Sequence, residues 1–187
     1  LAAGISQDVE ADDSVLELTK ARLPWLVLAL LGGFISVHVL GIFEPIMKLH
    51  PELFFFTPLI AAMAGNVGVQ SSAIIVQGLA NNTIIGPIVE RLLKELSLSL
   101  LNGVILSAIL LLGSYFLLGY EIHVGYTVSI ALLSVIIMAS LIGTFIPIIL
   151  NKYGVDPALA TGPFITTSND ILGILTYFTI AKIILGI

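Results

Sequence analysis

The stretch PFITTSNDILGILTYF, from Pro163 to Phe178, decides what kind of protein this is. Asp170 is its one formally charged side chain, and no other residue between Pro157 and Ala181 carries a charge. An apolar run of this length is typical of a helix that crosses a membrane. A carboxylate at the middle of a bilayer costs roughly 2.5–3.5 kcal/mol. Its presence there therefore indicates a functional site.

The rest of the chain has the same character. Of its 187 residues, 58% are hydrophobic and only 10% are charged, and the mean hydropathy is +1.12. A soluble domain carries about 25% charged residues. Helices satisfy their own backbone hydrogen bonds in lipid, so the sequence predicts an all-α integral membrane protein with five spans. The predicted spans are approximately Leu23–Phe43, Leu53–Leu79, Leu96–Leu118, Val124–Leu150 and Pro157–Leu185.

The formal charge of −5 comes mainly from the beginning of the chain, where five acidic residues lie within the first seventeen. We therefore divide the chain into an acidic cytoplasmic arm, residues 1–22, and a five-helix membrane domain, residues 23–187. The arm could include the end of a connecting helix. There is no basic patch, so nucleic acid is not an expected partner. There is no cysteine, which excludes disulfides and thiolate metal sites.

The basic residues predict the orientation. With a cytoplasmic amino terminus, five of the seven basic residues lie inside, which favours this topology and an extracytoplasmic carboxyl terminus. The inner five are Lys20, Arg22, Arg91, Lys94 and Lys152, and the outer two are Lys48 and Lys182. The segment PIVERLLKEL, Pro87–Leu96, alternates apolar and charged faces at helical spacing. We expect it to lie along the cytoplasmic interface as a separate amphipathic helix.

Two spans carry polar groups at the same depth. The second span is interrupted by Pro58 and by the cluster GNVGVQSS, Gly65–Ser72, and its centre falls at Asn66. Asp170 lies at the centre of the fifth span, and Pro163 is expected to leave the Leu159 carbonyl free. The carbonyl, hydroxyl, amide and carboxylate oxygens of these two spans are the ligands that hard cations such as magnesium and calcium prefer. We expect Asp170 to bind the metal, and further residues to line the ion pathway: Gly65, Asn66, Gln70, Gly162, Thr166 and Gly173.

Structural alternatives remain for these residues. The small residues of the second span could serve close helix packing, and Asn66 and Gln70 could form hydrogen bonds between helices. Asp170 could be protonated and bonded to a neighbouring helix. We interpret His38 as a neutral residue of the core rather than a ligand. Glu44 could lie at a pore mouth or simply reach water at a helix end.

The motifs GNVGVQSS and DPALATGPFITTSNDILGILTYF, Asp156–Phe178, closely resemble the membrane domain of the MgtE family of magnesium channels. This resemblance implies a homodimer in the lipid bilayer, with a pore built by spans two and five of both subunits. It implies that Asp170 binds Mg²⁺ through the ion's water shell, and other divalent ions such as Mn²⁺, Co²⁺ and Ca²⁺ are further candidates. Full-length members carry cytoplasmic regulatory domains, whereas about twenty residues, five of them acidic, precede the first span here.

The resemblance therefore implies a magnesium channel of the cell (inner or plasma) membrane, with passive permeation driven by the membrane potential. The alternative is a proton- or sodium-coupled divalent metal cation carrier, which a mid-depth carboxylate also suits. An enzyme is not expected, because Asp170 is the single acid within the spans and no paired-histidine motif is present. A scaffold subunit without a pore is the third possibility.

Overall fold

The computed structural model describes residues 9–84, 86–160 and 162–186. In these ranges the chain forms α-helices and one 3₁₀ turn, and no strand is present. The helices are α1 (Val15–Ile42), α2 (Glu44–Leu49), α3 (Glu52–Ala80), α4 (Ile88–Phe116), α5 (Ile122–Lys152) and α6 (Pro163–Leu185), and the 3₁₀ turn is Pro157–Ala160. All but α2 are long and apolar enough to cross a membrane. The predicted all-α fold with five spans is confirmed.

Helix α1 begins before the first apolar run. Ser14 caps it through a capping box, in which the Glu17 amide donates to Ser14 Oγ and the Ser14 amide donates to Glu17 Oε2 at 3.1 Å. At about 1.5 Å per residue the helix is about 42 Å long, more than the hydrocarbon thickness of about 30 Å. Its first turns therefore extend beyond the membrane. Of the predicted acidic arm, residues 1–8 lie outside the described part of the chain.

Helix α5 is the centre of the bundle. It packs against α3, α4 and α6, whereas α1 packs on the outside, mainly against α6. The α5 side chains Val128, Ala131 and Val135 are fully buried. Most large apolar residues of α1 and α4 remain exposed on the single chain, as expected for surfaces that meet lipid or a second subunit.

Glycine allows α3 and α5 to touch through their backbones. A Cβ atom on Gly143 of α5 would overlap the carbonyl oxygen of Gly68 on α3. Small residues are enriched at such crossings, because two helices in lipid gain most from close van der Waals contact. The packing role considered for the small residues of the second span therefore applies to Gly68.

An aromatic cluster joins α6 to the beginning of α3 and the end of α1. The buried Tyr177 hydroxyl donates to the Leu53 carbonyl at 2.9 Å. Phe178 stacks on Phe43 with ring centroids 5.3 Å apart. A buried phenol needs an acceptor, and the Leu53 carbonyl lies in the first turn of α3. This contact fixes α6 along the bundle axis.

Helix α3 is continuous, so the predicted interruption is wrong. Pro58 lies inside the helix and removes one hydrogen bond, because it cannot donate to the Phe54 carbonyl. The cluster from Gly65 to Ser72 is also helical. Its polar and small residues pack against neighbouring helices, and this contact stabilises a segment whose composition alone disfavours a helix.

The predicted interfacial helix is also wrong, because Ile88 begins the long helix α4. Glu95, which we placed on the water-facing side, is 6% exposed and lies inside the bundle. Val89 and Leu93 point outward instead and are 61% and 57% exposed. An amphipathic pattern separates two faces of a helix but does not identify which face meets the protein. Here the polar face partly turns inward.

The fifth span starts later than predicted. Pro157–Ala160 is a 3₁₀ turn, in which the Ala158 amide donates to Asp156 Oδ1 at 2.9 Å. Helix α6 itself begins at Pro163, where proline is favoured because the first helical residue needs no intrahelical donor. Pro163 therefore begins the helix, and the Leu159 carbonyl that we expected to be free belongs to the preceding 3₁₀ turn and not to α6.

Candidate functional site

Asp170 lies half-buried in a groove between α1, α3 and α6. The groove has a volume of about 520 Å³. A water molecule occupies about 30 Å³ of liquid, so an ion with six waters would need about 180 Å³ and would fit. The polar lining consists of Ser36 from α1 together with Thr166, Thr167 and Asp170 from α6.

Glycine residues bring the walls of this groove together. A Cβ atom on Gly65 of α3 would lie 3.2 Å from Asp170 Oδ1 and 3.3 Å from Thr166 Cγ2. A Cβ atom on Gly32 of α1 would overlap the Thr167 methyl group. The absence of side chains at these two positions therefore allows α3 to approach the carboxylate and α1 to approach α6.

The first turn of α6 forms one end of the groove. Gly162 precedes the helix, and its carbonyl accepts hydrogen bonds from the Thr166 amide at 3.2 Å and the Thr166 hydroxyl at 3.3 Å. Both residues line the groove with Asp170. Thr166 and Asp170 are four residues apart on a helix and so share a face. Hydroxyl, carbonyl and carboxylate oxygens thus lie along one path.

The other predicted pathway residues lie elsewhere. Gly173 is buried where α6 meets α3, since a Cβ atom there would lie 2.8 Å from the Ala64 Cβ. Asn66 is exposed on the surface of α3, about 100° around the helix from Gly65. Gln70 is also exposed and lines a different cavity, beside Glu95. A single chain therefore brings Gly65, Gly162 and Thr166 to Asp170, whereas Asn66 and Gln70 lie on the adjacent outer face.

That outer face is unusual for a membrane helix. Asn66 and Gln70 are four residues apart and project from the same side of α3. Primary amides that face hydrocarbon leave several hydrogen-bonding groups unsatisfied, at a cost of several kcal/mol each. The face therefore requires water or a second protein surface.

Sequence reasoning missed the contribution of α1. Its small residues Ala29, Gly32, Gly33 and Ser36 line the groove opposite Asp170, and Val69 of α3 completes the wall. The pairs Ala29–Gly33 and Gly32–Ser36 have the four-residue spacing that marks a close helix contact in membranes. This signal was available in the sequence, but it does not reveal which helix is the neighbour.

The side chain of Asn169 points to a different side of α6 from that of the adjacent Asp170. It is fully buried and points at Gly68, where a Cβ atom would overlap its Nδ2. Among the described residues neither of its side-chain polar atoms has a hydrogen-bond partner, and the same is true of the buried hydroxyls of Ser72 and Thr144. Asn169 therefore faces the bundle interior and not the groove.

Asp170 has no basic partner in the described part of the chain. The ion pair there joins Lys48 to Glu44 at 2.7 Å in the short helix α2. Next to helix ends, His50 and His123 lie 3.0 and 3.1 Å from the carboxylates of Glu52 and Glu121. The hydrogen bond and charge of Lys48 lower the pKa of the Glu44 carboxyl below its ordinary value. Glu44 is exposed, in agreement with its interpretation as a residue that reaches water.

His38 does not belong to the core of the chain, contrary to our interpretation. It is exposed on α1, because α1 uses the face that carries Gly32 to contact α6. In the described ranges no three His, Asp or Glu side chains are grouped as a protein-only metal site. A metal beside Asp170 would therefore need water molecules or a second subunit for most of its ligands.

The geometry agrees with the comparisons with known proteins. Residues 57–180 match the MgtE family, described as divalent cation transporters. The chain belongs to the MgtE family. The matched range contains most of α3, all of α4 and α5 and most of α6, including both motifs that suggested the resemblance.

Three curated relatives, each named a magnesium transporter MgtE, align with nearly the whole chain. The protein from Bacillus subtilis is 38% identical over 180 residues, which cover 96% of this chain. The relative from Thermus thermophilus is 31% identical over 98% of the chain, and that from Enterococcus faecalis is 33% identical over 96%. The alignments cover 40%, 41% and 40% of those three relatives respectively.

The family assignment decides between broad classes of function. Members of the MgtE family are transporters and not enzymes, which supports the expectation that this chain is not an enzyme. The five apolar helices make it a multi-pass membrane protein. The matched relatives are more than twice as long as the chain, as expected for proteins that carry additional domains.

Proposed function

We propose that this chain forms the magnesium-conducting part of a homodimeric membrane channel, with Asp170 as the ion-binding residue. One observation carries the proposal: a carboxylate without a basic partner in the described ranges faces a groove large enough for a hydrated ion, within a bundle of membrane-spanning helices. An ionisable residue inside a membrane is retained when it serves an ion pathway.

The dimer follows from the number of ligands. One carboxylate with few oxygen neighbours is a poor site for a dehydrated divalent ion, whereas two carboxylates across a two-fold axis suit magnesium, which keeps several of its waters. The amides of Asn66 and Gln70 provide a second argument, because they are exposed on the face of α3 beside the groove. Placing these faces at the axis would surround the pore with oxygen atoms.

Permeation would be passive and driven by the membrane potential. The ion would pass along the carbonyl of Gly162, the hydroxyl of Thr166 and the carboxylate of Asp170 without losing its full water shell. Selectivity would come from the width of the pore and from the paired charges, and Mn²⁺, Co²⁺ and Ca²⁺ would be the competitors to compare. We place the amino terminus in the cytoplasm and the protein in the cell membrane, and assign residues 23–187 to conduction.

Reconstituted liposomes provide the central experiment. Asp170→Ala and Asp170→Asn should reduce magnesium flux to the level of protein-free vesicles, because each removes the negative charge that attracts the hydrated ion. Asp12→Asn is the matched control, since Asp12 is exposed and precedes the first helix. Flux through Asp170→Ala equal to that of the unmodified protein would refute the proposed site.

Current measurements separate the channel from a carrier coupled to protons or sodium. A channel passes magnesium current without a pH or sodium gradient, and its reversal potential follows magnesium alone. A coupled carrier would shift its reversal potential with the second ion. Coupled carriers typically bind their ions at discontinuous helices, whereas α3 is continuous.

The dimer arrangement can be tested directly, because the 187 residues contain no cysteine. Asn66→Cys should form a disulfide between two subunits if this face of α3 lies at the two-fold axis. Leu112→Cys, on the exposed outer surface of α4, is the matched control and should form no disulfide between subunits under the same oxidation. A disulfide between subunits in Leu112→Cys, and none in Asn66→Cys, would exclude the proposed interface.

A further inference from the structure

Glu95 of α4 is a buried carboxylate that the proposed pore does not use. The Ser71 hydroxyl of α3 lies 2.6 Å from Glu95 Oε1, and the Ser140 hydroxyl of α5 lies 2.5 Å from the same atom. Three helices therefore meet at a single oxygen. These contacts are the shortest side-chain hydrogen bonds between different helices in the described part of the chain.

The second oxygen of Glu95 is not used by the protein. Among the described residues, no donor lies within hydrogen-bond distance of Oε2, and no Lys, Arg or His lies within 4.0 Å of the carboxylate. Arg91, one turn earlier on α4, makes no ion pair with it. A charged carboxylate inside the bundle is stabilised by a nearby cation, because removing it from water costs several kcal/mol.

A cavity of about 60 Å³ lies beside this carboxylate. The polar residues that line it come from three helices, and their side-chain oxygens belong to carboxylate, amide or hydroxyl groups. These residues are Gln70, Ser71, Glu95, Ser99, Asn102 and Ser140. The Ser99 hydroxyl donates to the Leu96 carbonyl at 3.0 Å, which leaves its lone pairs available. The exposed side chains of Gln70 and Asn102 form the rim, so an ion would have a way in.

The size of the cavity selects the ligand. The cavity has about a ninth of the volume of the Asp170 groove, 60 against 520 Å³, and magnesium gives up its waters reluctantly. A monovalent ion sheds water more easily, because the electrostatic energy of hydration increases with the square of the charge. Oxygen ligands also exclude soft metals. Both properties point to a small, largely dehydrated monovalent cation.

We propose that the Glu95 cavity is a second cation site, which binds a monovalent metal ion such as Na⁺. Glu95 Oε2, the amide oxygens of Gln70 and Asn102 and the hydroxyl of Ser99 supply the ligands, with room for about one water. The ion neutralises the buried charge and holds α3, α4 and α5 together. The site lies outside the groove of Asp170, and Gln70 is the one ligand that it shares with the face of α3 proposed to lie at the two-fold axis.

Thermal unfolding and radioactive sodium binding test this site in the purified protein. In magnesium-free buffer of constant ionic strength, replacing choline chloride with NaCl should raise the unfolding temperature in a saturable way, since a ligand of the folded state stabilises it. Glu95→Gln should abolish both the sodium-dependent shift and the bound sodium. Asp170→Ala should retain both, because its groove is separate.

A second variant keeps the proposal testable if Glu95→Gln does not fold. Asn102→Leu removes one rim ligand, leaves the hydrogen bonds of Ser71 and Ser140 to Glu95 in place, and should weaken sodium binding about tenfold, equal to about 1.4 kcal/mol. Equal stability in sodium and choline would overturn the proposal, as would sodium binding unchanged by both variants. Tighter competition by magnesium than by potassium in Asp170→Ala would also overturn it, because the site would then be divalent.

Discussion

Gly65 of α3 lies directly against Asp170 of α6: a Cβ atom built on Gly65 would come within 3.2 Å of the carboxylate oxygen Oδ1. The absence of a side chain at Gly65 therefore allows the carboxylate to lie close to the backbone of α3. It also connects the two sequence motifs, one on each helix, which are widely separated in the chain.

Gly65→Ala should reduce magnesium flux while the protein stays folded. The added methyl group would force Asp170 or Thr166 to move by a few tenths of an ångström, and the carboxylate would no longer face the ion in the same position. We expect a fall of about tenfold in flux into liposomes, corresponding to about 1.4 kcal/mol. Gly41→Ala is the control, because nothing lies within 4 Å of a Cβ atom there. Equal losses in both variants would contradict this role of Gly65.

Gly143→Ala should destabilise the bundle and not simply alter transport. The methyl group would overlap the carbonyl oxygen of Gly68, which belongs to the backbone of α3 and cannot rotate away. Overpacking of this kind costs about 1–3 kcal/mol. Thermal unfolding in detergent measures the effect, with Gly113→Ala as control because its site is open. An unchanged unfolding temperature for Gly143→Ala would show that α3 and α5 are further apart.

Tyr177→Phe tests the contact that fixes α6 along the bundle. The change removes the hydroxyl that donates to the Leu53 carbonyl at 2.9 Å, and that carbonyl keeps the Thr57 hydroxyl as a weaker donor at 3.5 Å. We expect a loss of about 0.5–1.5 kcal/mol in the free energy of unfolding, the net value of one hydrogen bond. Tyr153→Phe, at a residue that is 76% exposed, should have little effect on the same measurement. A loss of equal size at Tyr153 would refute the assignment.

The pair Glu44 and Lys48 on α2 predicts a local pH response. Lys48 lowers the pKa of the Glu44 carboxyl, so the pair favours the folded state above the ordinary pKa of glutamate, and this contribution is lost as the pH falls through the lowered value. Lys48→Gln should raise the Glu44 pKa towards its ordinary value of 4.5. Titration of a carbon-13-labelled Glu44 carboxyl by NMR measures it. A pKa that does not change would mean that the pair is not formed in solution.

The sequence predicted the fold to within a few residues where hydrophobicity alone decides. The spans that became α3 and α5 were placed close to their observed ends. The errors came from residues whose environment is set by other helices. Pro58 suggested a break, yet packing holds α3 together, and Glu95 was placed in water although two serines from other helices bind it.

The candidate site was predictable only in part. A single charge in a long apolar run makes Asp170 stand out, and helical spacing associates Thr166 with it. The contribution of α1 could not be located in this way, because the four-residue spacing around Gly32 indicates a close contact but not its partner. The cavity beside Glu95 could not be located from the sequence for the same reason. Gln70 and Glu95 lie on different helices, and the sequence does not show that these helices are neighbours.

The amino-acid sequence by itself determined that this chain is a bundle of five membrane-spanning helices with one unpaired acid deep in the last span, because burial of apolar residues in lipid and the cost of a lone charge depend only on composition along the chain. The tertiary structure alone decided which helices meet. Contacts between α1 and α6, between Gly68 and Gly143, and around Glu95 depend on the crossing of separate helices. Those crossings are set by the fit of small side chains between segments that are distant in sequence.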